Sequence, residues 1–262
     1  MNGEISKNSI LWITDADNTL WDTDLIFRNA QLGLLQLIED ATGFSVGPVD
    51  RLAFVREIDQ GIAQIDHRGL KYPFGMLVSA IAGRLQSQPP NTAIRQAVLG
   101  TDVLPAHITE SLVSAFDGML KELPPLRDGV REGLEILAAA GAKVFVVTEG
   151  TRGRIETTLR AHALEGFVET ILAAEKNNSL YARLGRARAG TWRWAIGDQI
   201  DRDVLPALAA GFQAIHFPGG FMPAWQSGEK VGAKAYFSVD NYLSAVKIAI
   251  DFRKTEGHSP IG

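Results

Sequence analysis

Ile10-Leu11-Trp12-Ile13-Thr14-Asp15-Ala16-Asp17-Asn18-Thr19-Leu20 is the stretch on which the reading turns. A short apolar run breaks off into two aspartates one residue apart, followed by Asn and Thr. A run of this length bounded by turn residues reads as a fully buried strand, and Asp and Asn at its end read as a turn. A buried strand therefore delivers its C-terminal end to an acidic turn. The rest of the chain is read for what it brings to those two carboxylates.

Immediately downstream the period changes from strand to helix. Ile26, Ala30, Leu34, Leu37 and Ala41 recur at helical spacing and stop at Gly43, a good C-cap residue. A second helix follows Pro48, with Leu52, Val55, Ile58, Ile62 and Ile65 expected inward. Asp66 to Pro73 breaks the pattern and reads as a connection. Phe74, Leu77, Val78, Ile81 and Leu85 mark a third helix, stopped by Pro89-Pro90. A shorter helix is expected over Thr92 to Leu99, and another over Ala106 to Leu120, before Pro124-Pro125. No strand pattern occurs across residues 22–123, a block long enough for a small helical domain.

Beyond Pro125 strands and helices alternate. Asp128 is the expected N-cap of a helix carrying Leu134 and Leu137 and closed by Gly141. Lys143 to Val147 is a buried strand ending at Thr148-Glu149-Gly150, and a helix over Thr151 to His162 follows. Val168 to Ala173 is a weaker strand, and Trp194 to Asp198 another strand ending in an acid. Asp203 to Gly211 reads as a short helix, Gln213 to His216 as a core strand and Tyr236-Phe237 as a short one. The last helix spans Asp240 to Arg253 with Leu243, Val246 and Ile250 inward. Such alternation implies an α/β fold with a parallel sheet covered by helices on both faces. Ligands in such sheets bind beyond the carboxyl ends of the strands, where Asp15, Thr148 and Asp198 converge. The helical block, inserted just after the first strand, is expected to rise over that edge as a lid.

Composition narrows the class. The 262 residues are 46% apolar and 21% charged, ordinary for a globular chain. A net charge of −4 argues against nucleic-acid binding, which leaves a basic footprint. There are no cysteines, so disulfides and thiolate metal sites are excluded. Met1 to Ser9 has no basic n-region, and Ile10 to Ile13 is too short for a signal peptide or a membrane span. A cytoplasmic protein without a membrane partner is expected.

Asp15-Ala16-Asp17-Asn18-Thr19 resembles the first motif, DxDxT, of the haloacid dehalogenase superfamily. Three further motifs of that family have counterparts in order: Thr148 at the end of the next core strand, Lys176 downstream, and the strand ending Gly197-Asp198 with Asp201 and Asp203 close behind. The match covers residues 8–22 and 124–253. The resemblance implies a Rossmann-like doubly wound core over residues 1–21 and 124–262, with an all-α cap over 22–123. It implies a Mg²⁺-dependent phosphatase acting on a small phosphorylated substrate, with a homodimer left open. Asp15 is implied as nucleophile and metal ligand, and Asp17 as proton donor and acceptor that also lends its main-chain carbonyl to the metal. Asp198 is implied as a further ligand, and Thr148 and Lys176 as the clamp on the phosphoryl oxygens. Asp201 and Asp203 are implied to orient Lys176 or metal-bound water.

This residue set suits the chemistry. A carboxylate nucleophile splits one hard displacement into two easier ones, hard oxygen ligands hold Mg²⁺, and fixed cationic and hydroxyl donors stabilise charge in transfer. An acid at position 17 separates the family's phosphatases from its dehalogenases. Phosphonate or carbon–halogen hydrolysis, and a non-catalytic binding protein on the same fold, are the alternatives. Two departures stand out. Glu149 occupies a position where the family often has Asn, so its carboxylate must turn away or pair, with Arg152 or Arg154 nearest in sequence. Asn177 follows the lysine where Pro is common. Arg56, His67, Arg68, Lys71 and Tyr72 of the helical block are the candidate contacts to the leaving group, and Trp21 and Phe27 a candidate apolar wall.

Overall fold

A computed structural model describes residues 9–65, 72–187, 191–220 and 236–256. The described residues form two compact units, one within residues 9–24 and 123–256, the other within residues 25–122.

The first unit is an α/β layer structure. Strand β1 (Ile10–Thr14) is buried along its whole length. It is flanked by β2 (Lys143–Thr148), β3 (Thr170–Ala173), β4 (Trp192–Gly197), β5 (Gln213–His216) and β6 (Phe237–Ser238) in the order β3-β2-β1-β4-β5-β6. Every pairing is parallel. The chain runs outward from β1 to one side and then crosses to the other, so β1 stands at the switch point where doubly wound sheets bind ligands.

The two-residue period of β1 explains why it reads as continuously apolar. Ile10 and Trp12 enter one core with helices α6 (Val130–Ala139), α7 (Arg152–Ala161) and α10 (Tyr242–Glu256). Leu11 and Ile13 enter a second core, on the opposite face, with α8 (Asn178–Ala187) and α9 (Leu205–Ala209). A strand covered on both faces cannot alternate apolar with polar. In the first core the Trp12 indole N–H donates to the Tyr242 hydroxyl at 2.7 Å, so neither polar tip is left unpaired.

The second unit is all helical: α1 (Thr23–Thr42), which starts in the first unit, then α2 (Arg51–Ala63), α3 (Phe74–Leu85), α4 (Pro90–Val98) and α5 (Ala106–Met119). Leu34, Leu35 and Ile38 of α1, Val55, Ile58 and Ile62 of α2, the buried face of α3, and Leu112 and Phe116 of α5 make one core. Asp50 caps α2 by accepting the Ala53 amide at 2.9 Å. Buried Glu39 takes Arg51 on both carboxylate oxygens, at 3.0 and 2.7 Å.

Several local expectations are corrected. Gly129, not Asp128, is the N-cap of α6. Its φ of +77° lies in the left-handed region, and an added Cβ would sit 2.7 Å from the Leu243 amide nitrogen, so only glycine fits. Helix α2 stops at Ala63, and Ile65 beyond it is 58% exposed instead of inward. Leu243 and Ile250 are only half-buried, and α10 packs through Tyr242, Ala245, Val246 and Ala249. The short helix expected from Asp203 begins earlier, as a wide turn over Ile200–Val204 leading into α9. Helix α8 was not expected, because only Leu180, Tyr181 and Leu184 stand out of a polar run. Asn177 starts it by accepting the Leu180 amide at 3.0 Å, which gives that departure a structural role.

Candidate active site

The carboxyl ends of β1, β2 and β4 lie side by side. Thr14 pairs with Val146 and Ile196, so Asp15, Thr148 and Asp198 leave neighbouring strands at one edge. The Asp15 amide continues the ladder to the Ile196 carbonyl at 2.9 Å. The turn after Asp15 closes on the Ala16 carbonyl, which accepts the Leu20 amide at 2.8 Å. Asn18 adopts φ +56°, a left-handed conformation that Asn tolerates better than most residues, and its side chain accepts the Asp24 amide at 2.8 Å.

Asp15 is 5% exposed and held from two sides. Thr19 Oγ1 donates to its Oδ2 at 3.2 Å, and Lys176 Nζ donates to its Oδ1 at 2.5 Å. Lys176 also donates to Asp203 Oδ1 at 2.6 Å. Asp203 Oδ2 accepts the Gln199 amide at 3.1 Å, so Asp203 both neutralises and aims the lysine. Gly197 makes room for this arrangement: a Cβ there would lie 2.1 Å from the Asp203 carboxyl carbon. Asp198, just past β4, is 9% exposed, and His216 Nε2 lies 3.0 Å from its carbonyl.

Burial pushes the Asp15 carboxyl up to about 7, and Asp203 and Asp17 add to this, against the lowering effect of Lys176. Burial, with Asp15 and Asp203, also holds Asp198 well above the ordinary carboxylate range. For Lys176 burial works toward the neutral amine, but the two aspartates outweigh it and keep the side chain protonated. Ligand oxygens of Asp15, Asp198 and Asp203 lie within 4.8 Å of one another. With all three ionised, these carboxylates around a single ammonium would carry a surplus of two negative charges, the charge of one divalent cation. Hard oxygen donors so placed fit Mg²⁺. The geometry adds Asp203 to the acids gathered beside Asp15 and Asp198, while committing both its oxygens to Lys176 and Gln199. Asp201, in the same wide turn, is exposed.

Asp17 has a separate environment. Its Oδ1 accepts Trp21 Nε1 at 3.0 Å, Thr23 Oγ1 at 2.7 Å and Arg154 Nη1 at 2.9 Å, and Arg154 Nη2 closes onto Oδ2. Burial acts to raise the pKa of Asp17, but the Arg154 hydrogen bonds and charge, with the Thr23 and Trp21 donors, hold it below the usual value. Trp21 is fully buried, so it serves the core and Asp17 together. Thr148 is 1% exposed, and its hydroxyl oxygen accepts the Gly150 amide at 3.0 Å.

Glu149 does pair, but with a residue other than those expected. Arg202 binds its Oε2, and its Oε1 accepts the Lys176 amide at 3.2 Å, while Arg152 goes to Glu156 and Arg154 to Asp17. In the helical unit the Tyr72 hydroxyl donates to Asp59, a carboxyl raised by burial and lowered in part by Tyr72, Gln31 and nearby Arg56. Phe27 stacks edge-on against Phe116, with ring centroids 6.3 Å apart, and so belongs to the helical core. His67, Arg68 and Lys71 lie outside the described residues.

Sequence reasoning missed three contributors, Arg202, His216 and Arg127, and offered Arg154 to Glu149 where it binds Asp17. Arg127 lies over the Phe217 ring, 3.4 Å from its centroid, and donates to the carbonyls of Asn18, Phe217 and Pro218. It ties the first motif to the loop after β5. Nothing in the local pattern around these residues marks those pairings.

No protein-family model matches the sequence, and no curated protein matches it. Solved structures do match the fold. A haloacid dehalogenase-like family hydrolase from Xanthomonas campestris is 19% identical with a TM-score of 0.62, the match covering 96% of this chain and 99% of that one. The HAD-hydrolase YfnB from Bacillus subtilis, bound to magnesium, is 16% identical with a TM-score of 0.56 over 93% and 99% of the two chains. A predicted phosphoglycolate phosphatase from Haemophilus somnus is 17% identical with a TM-score of 0.52 over 93% and 99%. At this level of identity the likeness speaks for the architecture, and the fold of this chain is that of the haloacid dehalogenase superfamily hydrolases.

Proposed function

We propose that the protein is a Mg²⁺-dependent phosphatase that hydrolyses a small phosphorylated metabolite through an aspartyl phosphate on Asp15. The observation that carries this reading is the division of labour between two aspartates of one turn. Asp15 lies in the carboxylate–lysine cluster with Asp198 and Asp203, while Asp17 stands apart on its own set of donors. The acid at position 17 favours phosphate esters over carbon–halogen bonds, although a 2-haloacid dehalogenase from Pseudomonas syringae shares the fold. Phosphonate hydrolysis through Lys121 of the helical unit has less support, because that lysine is exposed and paired with Asp117.

Asp15, Asp198 and the Asp17 carbonyl would hold a Mg²⁺ ion, which would supply Lewis-acid neutralisation of charge at this edge. Lys176, steered by Asp203, and the Thr148 hydroxyl hold the phosphoryl group. Asp15 attacks phosphorus, and the bond to the leaving oxygen breaks as that oxygen takes a proton from Asp17, which has to carry one at this step although its donors favour the carboxylate. Asp17, now the carboxylate that Arg154, Thr23 and Trp21 favour, then takes a proton from water. The hydroxide so formed attacks the aspartyl phosphate, releasing phosphate and restoring Asp15. Arg202 keeps Glu149 occupied and its charge off the incoming anion. Arg56, His67, Arg68, Lys71 and Tyr72 of the helical unit are the proposed contacts to the leaving group. The setting is cytoplasmic, without nucleic acid or membrane as partner; no helix among the described residues is long and apolar enough to cross a membrane.

Phosphate release from a panel of phosphorylated metabolites, measured with Mg²⁺ and with EDTA, tests the reading beside Asp15→Asn. Mg²⁺-dependent turnover lost in Asp15→Asn is expected. No Mg²⁺-dependent turnover, or full activity in the variant, refutes it.

A further inference from the structure

Arg154 is the cation of this edge that binds Asp17 and still has donors to spare. Lys176 is 5% exposed and committed to two carboxylates. Arg202 is taken by Glu149, and Arg152 by Glu156. Arg127 donates to three carbonyls. A guanidinium has five N–H donors. Arg154 spends two of them on Asp17, which leaves three without a partner among the described residues. Its side chain is 43% exposed.

The residue is also held in place. It springs from the first turn of α7, directly after the loop that carries Thr148, and its Nη2 lies over Gly150. A Cβ at Gly150 would come within 2.6 Å of that nitrogen and 3.2 Å of the Thr148 hydroxyl. The strand-end loop therefore leaves room for the guanidinium between the phosphoryl-binding hydroxyl and the proton-transferring carboxylate. A fixed planar fork with unused donors is suited to bidentate recognition of a carboxylate or phosphate.

We propose that Arg154 is a specificity-determining residue, whose free edge binds a second anionic group on the leaving-group side of the substrate. The inference rests on the phosphatase reading and deepens it. Preferred substrates are then phosphate monoesters bearing a carboxylate or a further phosphate close to the ester oxygen, and uncharged alkyl phosphates are poor ones. Asp17 keeps one edge of the guanidinium while the substrate takes the other, so the same side chain positions the proton-transfer group and reads the leaving group.

Non-hydrolysable probes separate this from the chemistry. Calorimetry with Mg²⁺ compares 3-phosphonopropionate with propylphosphonate, which lacks the carboxylate, on wild type, Arg154→Gln and Arg154→Lys. Wild type is expected to bind the carboxylate-bearing probe about tenfold or more tightly, the scale of a charge-assisted hydrogen-bond pair. Arg154→Gln is expected to erase that ratio and Arg154→Lys to restore part of it. Loss of Asp17 positioning alone changes both affinities together and leaves the ratio intact. Equal affinities in wild type, or a ratio that persists in Arg154→Gln, overturns the inference alone. No binding of either phosphonate overturns it together with the phosphatase reading. Selective binding without turnover of any phosphate ester upholds the anion contact of Arg154 and overturns the phosphatase reading, and with it the role in substrate specificity.

Discussion

Replacing Lys176 by Met removes the one ammonium that faces Asp15 and Asp203. The substitution nearly conserves volume, so packing changes little. The charge balance changes a great deal. Lys176 and Asp15 are each 5% exposed and Asp203 is 2% exposed, so solvent screens none of the three. Removing one partner of a buried ion pair costs about 3–5 kcal/mol, because the other charge is left uncompensated. For a domain of this size each kcal/mol moves the melting temperature by about 2–4 °C, which gives a loss of roughly 6–20 °C. Trp12, Trp21 and Trp194 are all fully buried in the α/β unit, so tryptophan fluorescence in EDTA follows its unfolding. Added Mg²⁺ supplies positive charge to the same carboxylates, and at a hundred times its dissociation constant returns about 2.7 kcal/mol. Asp203→Asn in the Lys176→Met background removes one of the stranded charges and is expected to recover stability by about 0.5–3 kcal/mol relative to additivity. A Lys176→Met protein as stable as wild type in EDTA, or strictly additive double-mutant behaviour, refutes the view that this lysine neutralises a buried acidic cluster.

Asp198→Asn removes one charge from the three-carboxylate cluster, so the rise in melting temperature that Mg²⁺ confers on wild type should fall by more than half; thermal scans with and without Mg²⁺ measure it. Gly197→Ala forces a Cβ to within 2.1 Å of the Asp203 carboxyl carbon and is expected to cost about 1–3 kcal/mol in urea unfolding, with activity falling as Asp203 releases Lys176. In the helical unit, Arg51 hydrogen bonds hold the Glu39 carboxyl below the usual range against the effect of its burial. The unfolded chain therefore binds the Glu39 proton more readily than the folded one, so the pair stabilises above the ordinary glutamate pKa and is lost as pH falls through the lower folded value. Arg51 is 37% exposed, which limits the contribution to about 1 kcal/mol, and Glu39→Gln should match wild-type stability only at the acid end of a urea series run across pH.

Much of this architecture was legible because its causes are local. The five residues Ile10–Thr14 announce a buried strand because a sheet covered on both faces demands apolar side chains on both sides of the pleat. The helices of the second unit declare themselves through apolar spacing and the proline and glycine residues that stop them. Helix α8 escaped because three apolar residues suffice to pack one turn against the sheet, too few to raise a periodic signal in a ten-residue helix. Gly129 escaped as a cap because its constraint comes from Leu243, which lies far away in sequence.

The candidate site divides along the same line. Asp15, Asp17, Thr148 and Asp198 could be read from the chain, because each sits at or just past the end of a strand and strand ends can be located from sequence. The partners of those residues could not. Arg154 reaches Asp17 across 137 positions, Lys176 reaches Asp15 across 161, and Arg202, not the nearer arginines, takes Glu149 across 53. The amino-acid sequence alone determined which groups stand at the edge of the sheet, through periods set by the backbone. Only the tertiary structure decided which charge each group faces, because ion pairing depends on distance in space and burial, and neither is encoded in spacing along the chain.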